Sequence, residues 1–309
     1  MPDVSVCICT FRRPDLLQRL LRAMLTQDFP AERFEVVVLD NDPGQSAAGV
    51  LSGLQAEFCG RLRVLTLAEP NISLARNATI DAASGNWIAM LDDDEYPSSD
   101  WLSQLLATQQ KYAADIVFAP VLPEYEAGVA SWMRRGGFFE RRRLATGTSI
   151  DHRDARSGNV LMRKSLLNQL SLPSGPFDPL YGRTGGEDSM LFRQLNGLGA
   201  RMIWCDDAPV FELVPVSRAT AGWLLRRSFR TGQLFMQTEL ACTPPAGRTR
   251  RALLLSCRAL VQACIALLLT LVFCLFSPRN CLRWARVFAS QLGKLNHFRG
   301  QVFAAYGTE

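Results

Sequence analysis

A mainly parallel α/β sheet with helices on both faces is the fold class predicted by three features of this 309-residue chain. Short β-branched apolar runs alternate with helix-length amphipathic ones through the first third, the pattern of strands joined by crossover helices. Polar and acidic clusters follow those runs directly, where ligands of parallel sheets gather. Hydrophobic residues make up 48% of the chain and charged ones 20%, enough apolar side chain for a sizeable core. The same proportions exclude a disordered, collagenous or disulfide-scaffold protein.

Residues 4–9 read as the first strand. Pro14 then stands at a first helical position, ahead of Leu16, Leu17, Leu20, Leu21, Met24 and Leu25 spaced as one helical face. Residues 35–39 form a second strand that ends at the turn-forming Asp40-Asn41-Asp42-Pro43-Gly44. A third strand at 63–67 precedes a helix over about 73–83, and a fourth at 87–91 runs straight into Asp92-Asp93-Asp94-Glu95. Ser98 or Ser99 can cap a helix from Trp101, and 116–119 is a fifth strand. From 120 to about 156 the pattern loosens, with Arg134-Arg135 and Arg141-Arg142-Arg143 suggesting a mobile basic loop. Order returns at 157–162, in a helix from about Gly186, and in a strand at 202–205.

The net charge of +5 hides an asymmetry. From Arg218 onward there are 13 Lys and Arg against 2 Asp and Glu, leaving 21 and 27 in the rest. An acidic body therefore carries a basic tail that brackets an apolar run, which points to anionic lipid headgroups rather than nucleic acid. Within residues 252–276 the single charge is Arg258. Its last eighteen residues would span roughly 27 Å as a helix, close to the hydrocarbon thickness of a bilayer. The alternative is a buried helix of a soluble protein. Arg248, Arg250 and Arg251 precede the run and Arg279, Arg283, Arg286, Lys294 and Arg299 follow it. A re-entrant or hairpin insertion keeps both flanks on the cytosolic side, with the amphipathic 282–298 along the interface. The expected division is thus a body over 1–235 and a membrane-associated helical tail over 236–309. The nine cysteines include no CxxC pair and lie in apolar runs, as expected of reduced thiols, and the first residues lack the pattern of an export signal.

Four consecutive acids after a buried strand repel one another by roughly 1 to 4 kcal/mol per close pair. A divalent cation reverses that penalty, and Mg²⁺ or Mn²⁺ held by one or two carboxylates keeps positions open for phosphate oxygens. The bland alternative is a solvated acidic turn. A second acidic element, Gly185-Gly186-Glu187-Asp188, opens a helix with Leu191, Phe192 and Leu195 on its apolar face. Ordinary helix capping explains it alone. Beside a metal-held phosphate, the same carboxylate can accept a hydroxyl proton.

Together these segments resemble a known family. VSVCICTFRRP at 4–14, VVVLDND at 36–42, EPNISLARN at 69–77, IAMLDDDE at 88–95, GNVLMRK at 158–164 and GGED at 185–188 stand in the order and approximate spacing of family 2 glycosyltransferases with the GT-A fold. The resemblance covers residues 3–235 and is greatest to the bacterial exopolysaccharide enzymes typified by succinoglycan assembly, which build sugars on a polyprenyl diphosphate. It implies a Rossmann-like GT-A body in which Thr10, Phe11, Asp40, Asn41, Arg76 and Asp92 surround the nucleotide. Asp92 and Asp94 become the DxD pair that holds Mg²⁺ or Mn²⁺, Asp94 being the closer ligand. Asp188 becomes the general base, with Glu187 placing it or the acceptor. Asn159 and Arg163 match an element behind the acceptor site.

The chain departs from the family where Ser73 replaces a frequent Gly and Arg12 a frequent Asn. Neither His152 nor His297 stands where relatives supply a metal ligand after the acidic pair, and Glu212 is an alternative. In place of the processive QxxRW element lies a basic segment whose Arg227 and Arg230 could meet a diphosphate or lipid headgroups. Its absence implies addition of a single hexose, glucose from UDP-glucose by the family's habit, to a lipid-linked oligosaccharide at the cytosolic face of a bacterial inner membrane. A nucleotidyltransferase or an inactive membrane-associated scaffold are the competing classes.

Overall fold

The computed structural model describes residues 1–170 and 173–299. Residues 300–309 of the expected tail, and the side chain of its flank Arg299, lie outside the described residues. Two compact units emerge. One comprises Met1–Pro123 and Arg141–Leu213; the other comprises Glu124–Glu140 and residues 214–299.

The first unit opens with β1 (Val4–Thr10), α1 (Pro14–Leu25), β2 (Phe34–Asp40), α2 (Ala48–Leu54), β3 (Leu62–Thr66), α3 (Ile72–Ala82) and β4 (Trp87–Asp92). Pro14 does begin α1, whose Leu17, Leu20, Leu21 and Met24 are buried. Next come β5 (Glu95–Pro97), α4 (Trp101–Tyr112), β6 (Ile116–Phe118) and β7 (Val121–Tyr125). Asp100, rather than a serine, occupies the cap position of α4, and Trp101 N–H bonds the Ser98 carbonyl at 3.2 Å. After α5 (Ser131–Gly136), the order is β8 (Val160–Arg163), α6 (Lys164–Leu167), α7 (Glu187–Gly197), β9 (Met202–Trp204) and β10 (Val210–Val214).

Seven strands form the main sheet in the order β3-β2-β1-β4-β8-β6-β9. Four neighbouring pairs are parallel, while β8 inserts antiparallel between β4 and β6. Alternation along a strand sends side chains to both faces, which here are both covered. Val4, Val6 and Ile8 of β1 enter one core with Trp101, and Cys7 enters the other with Phe177 and Phe192. Fully burying such side chains contributes about 1.5–3 kcal/mol each. The second sheet, β5-β10-β7, was not foreseen, because its strands are three to five residues long. Nor is the segment after 120 a loop throughout: it contains β7 and α5.

The second unit is built from α5, α8 (Ala221–Ala241), α9 (Pro245–Cys274) and α10 (Pro278–Asn296). The expected boundary at 235 falls inside α8. Thr220 and Ser277 cap α8 and α10 by accepting from Trp223 N–H and Asn280 N–H. α8 and α10 cross backbone to backbone: a Cβ on Gly232 would strike the Ser290 carbonyl, and one on Gly293 the Phe229 carbonyl. The apolar run is not folded back on itself, since α9 continues unbroken through it for 30 residues.

Candidate active site

The four acids at the carboxyl end of β4 are met by side chains from distant parts of the chain. Parallel pairing sets Cys9 of β1 against Asp92, so the loop after β1 comes to the acids. Thr10 Oγ1 donates to Asp93 Oδ2 at 2.9 Å, and Arg13 Nη1 donates to Asp93 Oδ1 at 3.0 Å and Asp94 Oδ2 at 3.2 Å. Burial pushes the Asp93 carboxyl up to about 6 against the pull of Arg13. Asp93 is therefore the internal anchor of the loop, whereas Asp92 keeps a side chain 47% exposed.

Glu95 opens β5 directly across from Glu212 of β10. Like charges facing across two strands repel, and Arg141 relieves them by donating Nη2 to Glu212 Oε2 at 2.8 Å. Burial raises Glu95 well above the carboxylate range, the Asp92 charge raises it further, and Arg141 pulls it down. A Cβ on Gly158 would stand 2.6 Å from Glu95 Oε1 and 3.3 Å from Asp92 Oδ2. Glycine there leaves room for both carboxylates.

The second acidic element reaches the first through α3. Asn71 caps that helix by accepting from Ser73 N–H at 3.1 Å and Leu74 N–H at 3.2 Å, and its Nδ2 donates to the Pro179 carbonyl at 3.2 Å. Asn77 holds Phe177 from both sides, donating to its carbonyl at 2.7 Å and accepting from its N–H at 2.9 Å. The segment thus pinned leads to Gly185 and Gly186, whose φ values of 90° and 97° suit glycine alone. They turn the chain into α7, so that Glu187 and Asp188 begin it. From α3 the buried Arg76 donates Nη1 to Glu187 Oε1 at 2.6 Å and Nη2 to Asp92 Oδ1 at 3.2 Å. One guanidinium joins the two acidic elements.

Glu187 Oε2 is buried without a partner among the described residues, and burial pushes this carboxyl up while Arg76 opposes. Asp188 is half-buried; its Oδ1 accepts from Ser189 N–H at 2.6 Å and Ser189 Oγ at 3.3 Å. The positive end of α7 stabilises negative charge there.

Asp40 and Asn41 shape the turn after β2. Both Asp40 carboxylate oxygens accept backbone N–H groups, from Asp42 at 3.0 Å and Ala47 at 2.9 Å. Asn41 donates to the Leu67 and Glu69 carbonyls at 2.9 and 2.6 Å and accepts from Asn71 N–H at 3.0 Å. Arg12, at φ 55°, lies over the Phe11 ring at 4.9 Å and pairs with Asp42 at 3.1 Å.

Thr10, Arg76, Asp92, Asp94 and Glu187 are thus brought together. Asn159 and Arg163 are not part of that cluster. Asn159 is fully buried, with both amide protons and one oxygen lone pair used: it accepts from Trp101 Nε1 at 2.8 Å and donates to the Pro120 and Ala208 carbonyls at 2.8 and 2.9 Å. Arg163 pairs with Asp115 at 2.7 Å and lies opposite Trp87, roughly 17 Å along β4 from Asp92 at 3.3 Å per residue. Antiparallel β8 carries it to the wrong end of the sheet. Arg227 and Arg230 belong to α8 of the second unit, Arg227 over Trp223 at 5.1 Å.

Arg13, Asp93, Gly158 and Arg141 carry no individual signature in the sequence that marks them for this site. The Asn71 and Asn77 brackets were visible only as letters of a motif. A residue three places beyond a strand end, as Arg13 is after β1, was the available signal. Among the described residues no group of three or more His, Cys, Asp or Glu side chains gathers as a metal cage. The hard oxygens of Asp92 and Asp94, with Asp92 open to solvent, nevertheless suit Mg²⁺ or Mn²⁺, which take one or two carboxylates and fill the rest from phosphate and water. They fit such an ion.

A sequence model of glycosyl transferase family 2 matches residues 5–171. The succinoglycan biosynthesis protein ExoM of Rhizobium meliloti is 35% identical over 231 residues, 74% of this chain and 73% of that one. The GalNAc(5)-diNAcBac-PP-undecaprenol beta-1,3-glucosyltransferase of Campylobacter jejuni is 29% identical over 134 residues, 42% of this chain and 41% of that protein. Among solved structures, the mannosyltransferase PcManGT of Pyrobaculum calidifontis, in complex with GDP-Man and Mn²⁺, superposes with a TM-score of 0.62 at 19% identity, over 95% of this chain and 87% of its own. That likeness establishes the GT-A fold.

Proposed function

The chain belongs to glycosyl transferase family 2, and from that premise we propose that it transfers one hexose, glucose from UDP-glucose, to a polyprenyl-diphosphate-linked oligosaccharide in exopolysaccharide assembly. The Arg76 bridge between Asp92 and Glu187 carries the reading, because it supports a donor-diphosphate end and a base standing side by side. The setting is the cytosolic face of a bacterial inner membrane.

Asp188 accepts the proton of the acceptor hydroxyl as that oxygen attacks the anomeric carbon. The bond from that carbon to the nucleotide diphosphate breaks on the opposite face, so the configuration inverts. Arg76 and the α7 terminus hold Asp188 and its neighbour in place. Asp92 and Asp94 would hold Mg²⁺ or Mn²⁺, which when bound neutralises the charge gathering on the leaving diphosphate. Phe11, Asp40 and Asn41 shape the nucleotide end. Exposed leucines on α9 support the membrane setting.

Transfer from radiolabelled UDP-glucose to a lipid-linked acceptor tests the proposal. Asp188→Asn should keep donor binding yet lose transfer by at least about 100-fold. Near-normal turnover by the folded variant would remove Asp188 from the mechanism. Asp94→Ala should abolish the Mn²⁺ dependence of UDP binding in calorimetry, and equal wild-type affinity with and without Mn²⁺ would count against the metal role.

A further inference from the structure

We infer that α9 lies in the plane of an anionic bilayer, its leucine face sunk into one leaflet and its alanine face kept against α8 and α10. The inference rests on the proposed membrane setting and specifies how the chain enters it.

α9 is inside out for a helix in water. Ala259, Ala263 and Ala266 are buried, while Leu253, Leu260, Leu268 and Leu271 are 57–62% exposed. At 3.6 residues per turn those leucines share one arc of about 80° along the whole helix, and Arg258 lies about 80° outside it. Large apolar side chains turned outward over small ones turned inward call for an apolar solvent.

The packing of α9 decides how it meets that solvent. Near its start, Leu255 clusters with Met236 and Leu240 of α8, and Arg251 pairs with Glu239 at 2.7 Å. At its end the chain turns through Ser277, the cap of α10, and α10 returns beside it. α8 and α10 run parallel, with Ser228 meeting Arg286, Gly232 meeting Ser290 and Gln233 meeting Asn296. These backing helices carry Arg226, Arg227 and Arg230, and Arg279, Arg283, Arg286 and Lys294. An upright α9 would draw those cations into hydrocarbon, where Lys and Arg are costly. Lying flat, the leucine arc enters lipid while the arginines stay in the headgroup layer. The 13 Lys and Arg against 2 Asp and Glu from Arg218 onward select an anionic leaflet.

Single cysteines at Leu253, Leu260, Leu268 and Leu275, placed in the full chain after replacing its own cysteines, sample one face over about 33 Å of helix. Each is labelled with an environment-sensitive dye on vesicles of phosphatidylcholine with or without phosphatidylglycerol, and depth is read with lipids carrying quenchers at shallow and deep positions. The expected result is one common depth at all four sites and binding that falls when phosphatidylglycerol is omitted. A graded profile, with Leu260 and Leu268 deepest and the ends at opposite surfaces, overturns the in-plane arrangement and leaves the membrane setting intact. Failure of the wild-type chain to sediment with either vesicle, or its dimerisation through this face without lipid, overturns both. As an independent check, Leu260→Asp/Leu268→Asp should abolish sedimentation while UDP binding persists. Retained sedimentation would also overturn the inference.

Discussion

The two units break the ordinary rule of apolar inside and charged outside in opposite ways. In the first, carboxylates are buried beside the end of β4 and at the start of α7: Asp93, Glu95 and Glu187 are all buried. In the second, α9 turns its leucines outward and its alanines inward. The compensations differ accordingly. Buried acids have named partners, Arg13, Arg76 and Arg141, because an unpaired charge in a low dielectric is costly. The leucines of α9 stay exposed among the described residues, and lipid is their compensation in the proposed arrangement. Departures from folding rules of this sort concentrate where a protein acts.

Removing one guanidinium should break the first half of that contrast. Arg76→Met leaves Glu187 buried with its charge unopposed and should cost about 3–5 kcal/mol in urea unfolding. Arg76→Met/Glu187→Gln should recover most of it, since the buried charge is then gone. A loss that the second substitution fails to relieve would mean that Arg76 packs rather than neutralises.

A smaller effect is expected from pH. Asp93 titrates at about 6 in the fold, above the usual value of 3.8. The folded chain therefore holds this proton after the unfolded chain has released it, and the contribution of Asp93 to stability is full below about pH 4 and lost as pH rises through about 6. The stability of wild type relative to Asp93→Asn should fall by up to about 3 kcal/mol across that window. A flat difference would show that Arg13 outweighs burial.

Thiol labelling at pH 8 sharpens the contrast with the smallest expected change. Burial pushes the Cys9 thiol up to about 12 and Cys7 higher still, so both should resist maleimide in the folded protein. Cys257, Cys264 and Cys274, exposed on α9, should react. Vesicles containing phosphatidylglycerol should slow labelling of these three several-fold and leave the exposed Cys59 unchanged. Equal protection of Cys59 would point to general occlusion.

Much of the first unit was legible because local chemistry repeats along the chain. Residues such as Val4, Val6 and Ile8 mark a buried strand by their own spacing, and Pro14 marks a helix start. The acids at 92–95 and 187–188 stood out because such clusters oppose folding unless something holds them. β5 and β10 were missed because so few residues carry no period. Asn159 reads as a polar letter in a family motif and proves to be a pin among Trp101, Pro120 and Ala208.

From composition and order alone follow the α/β body, the strand ends that carry acids, the apolar helix and the basic ground around it. These are properties of neighbours along a chain, set by side-chain size, charge and periodicity. Only the tertiary structure decided that β8 runs antiparallel and takes Arg163 away from the acids, that Arg76 reaches both Asp92 and Glu187, and that α9 turns alanine inward and leucine outward. Those outcomes depend on which distant segments share a boundary, where burial and Coulomb energy are settled between partners that no local pattern names.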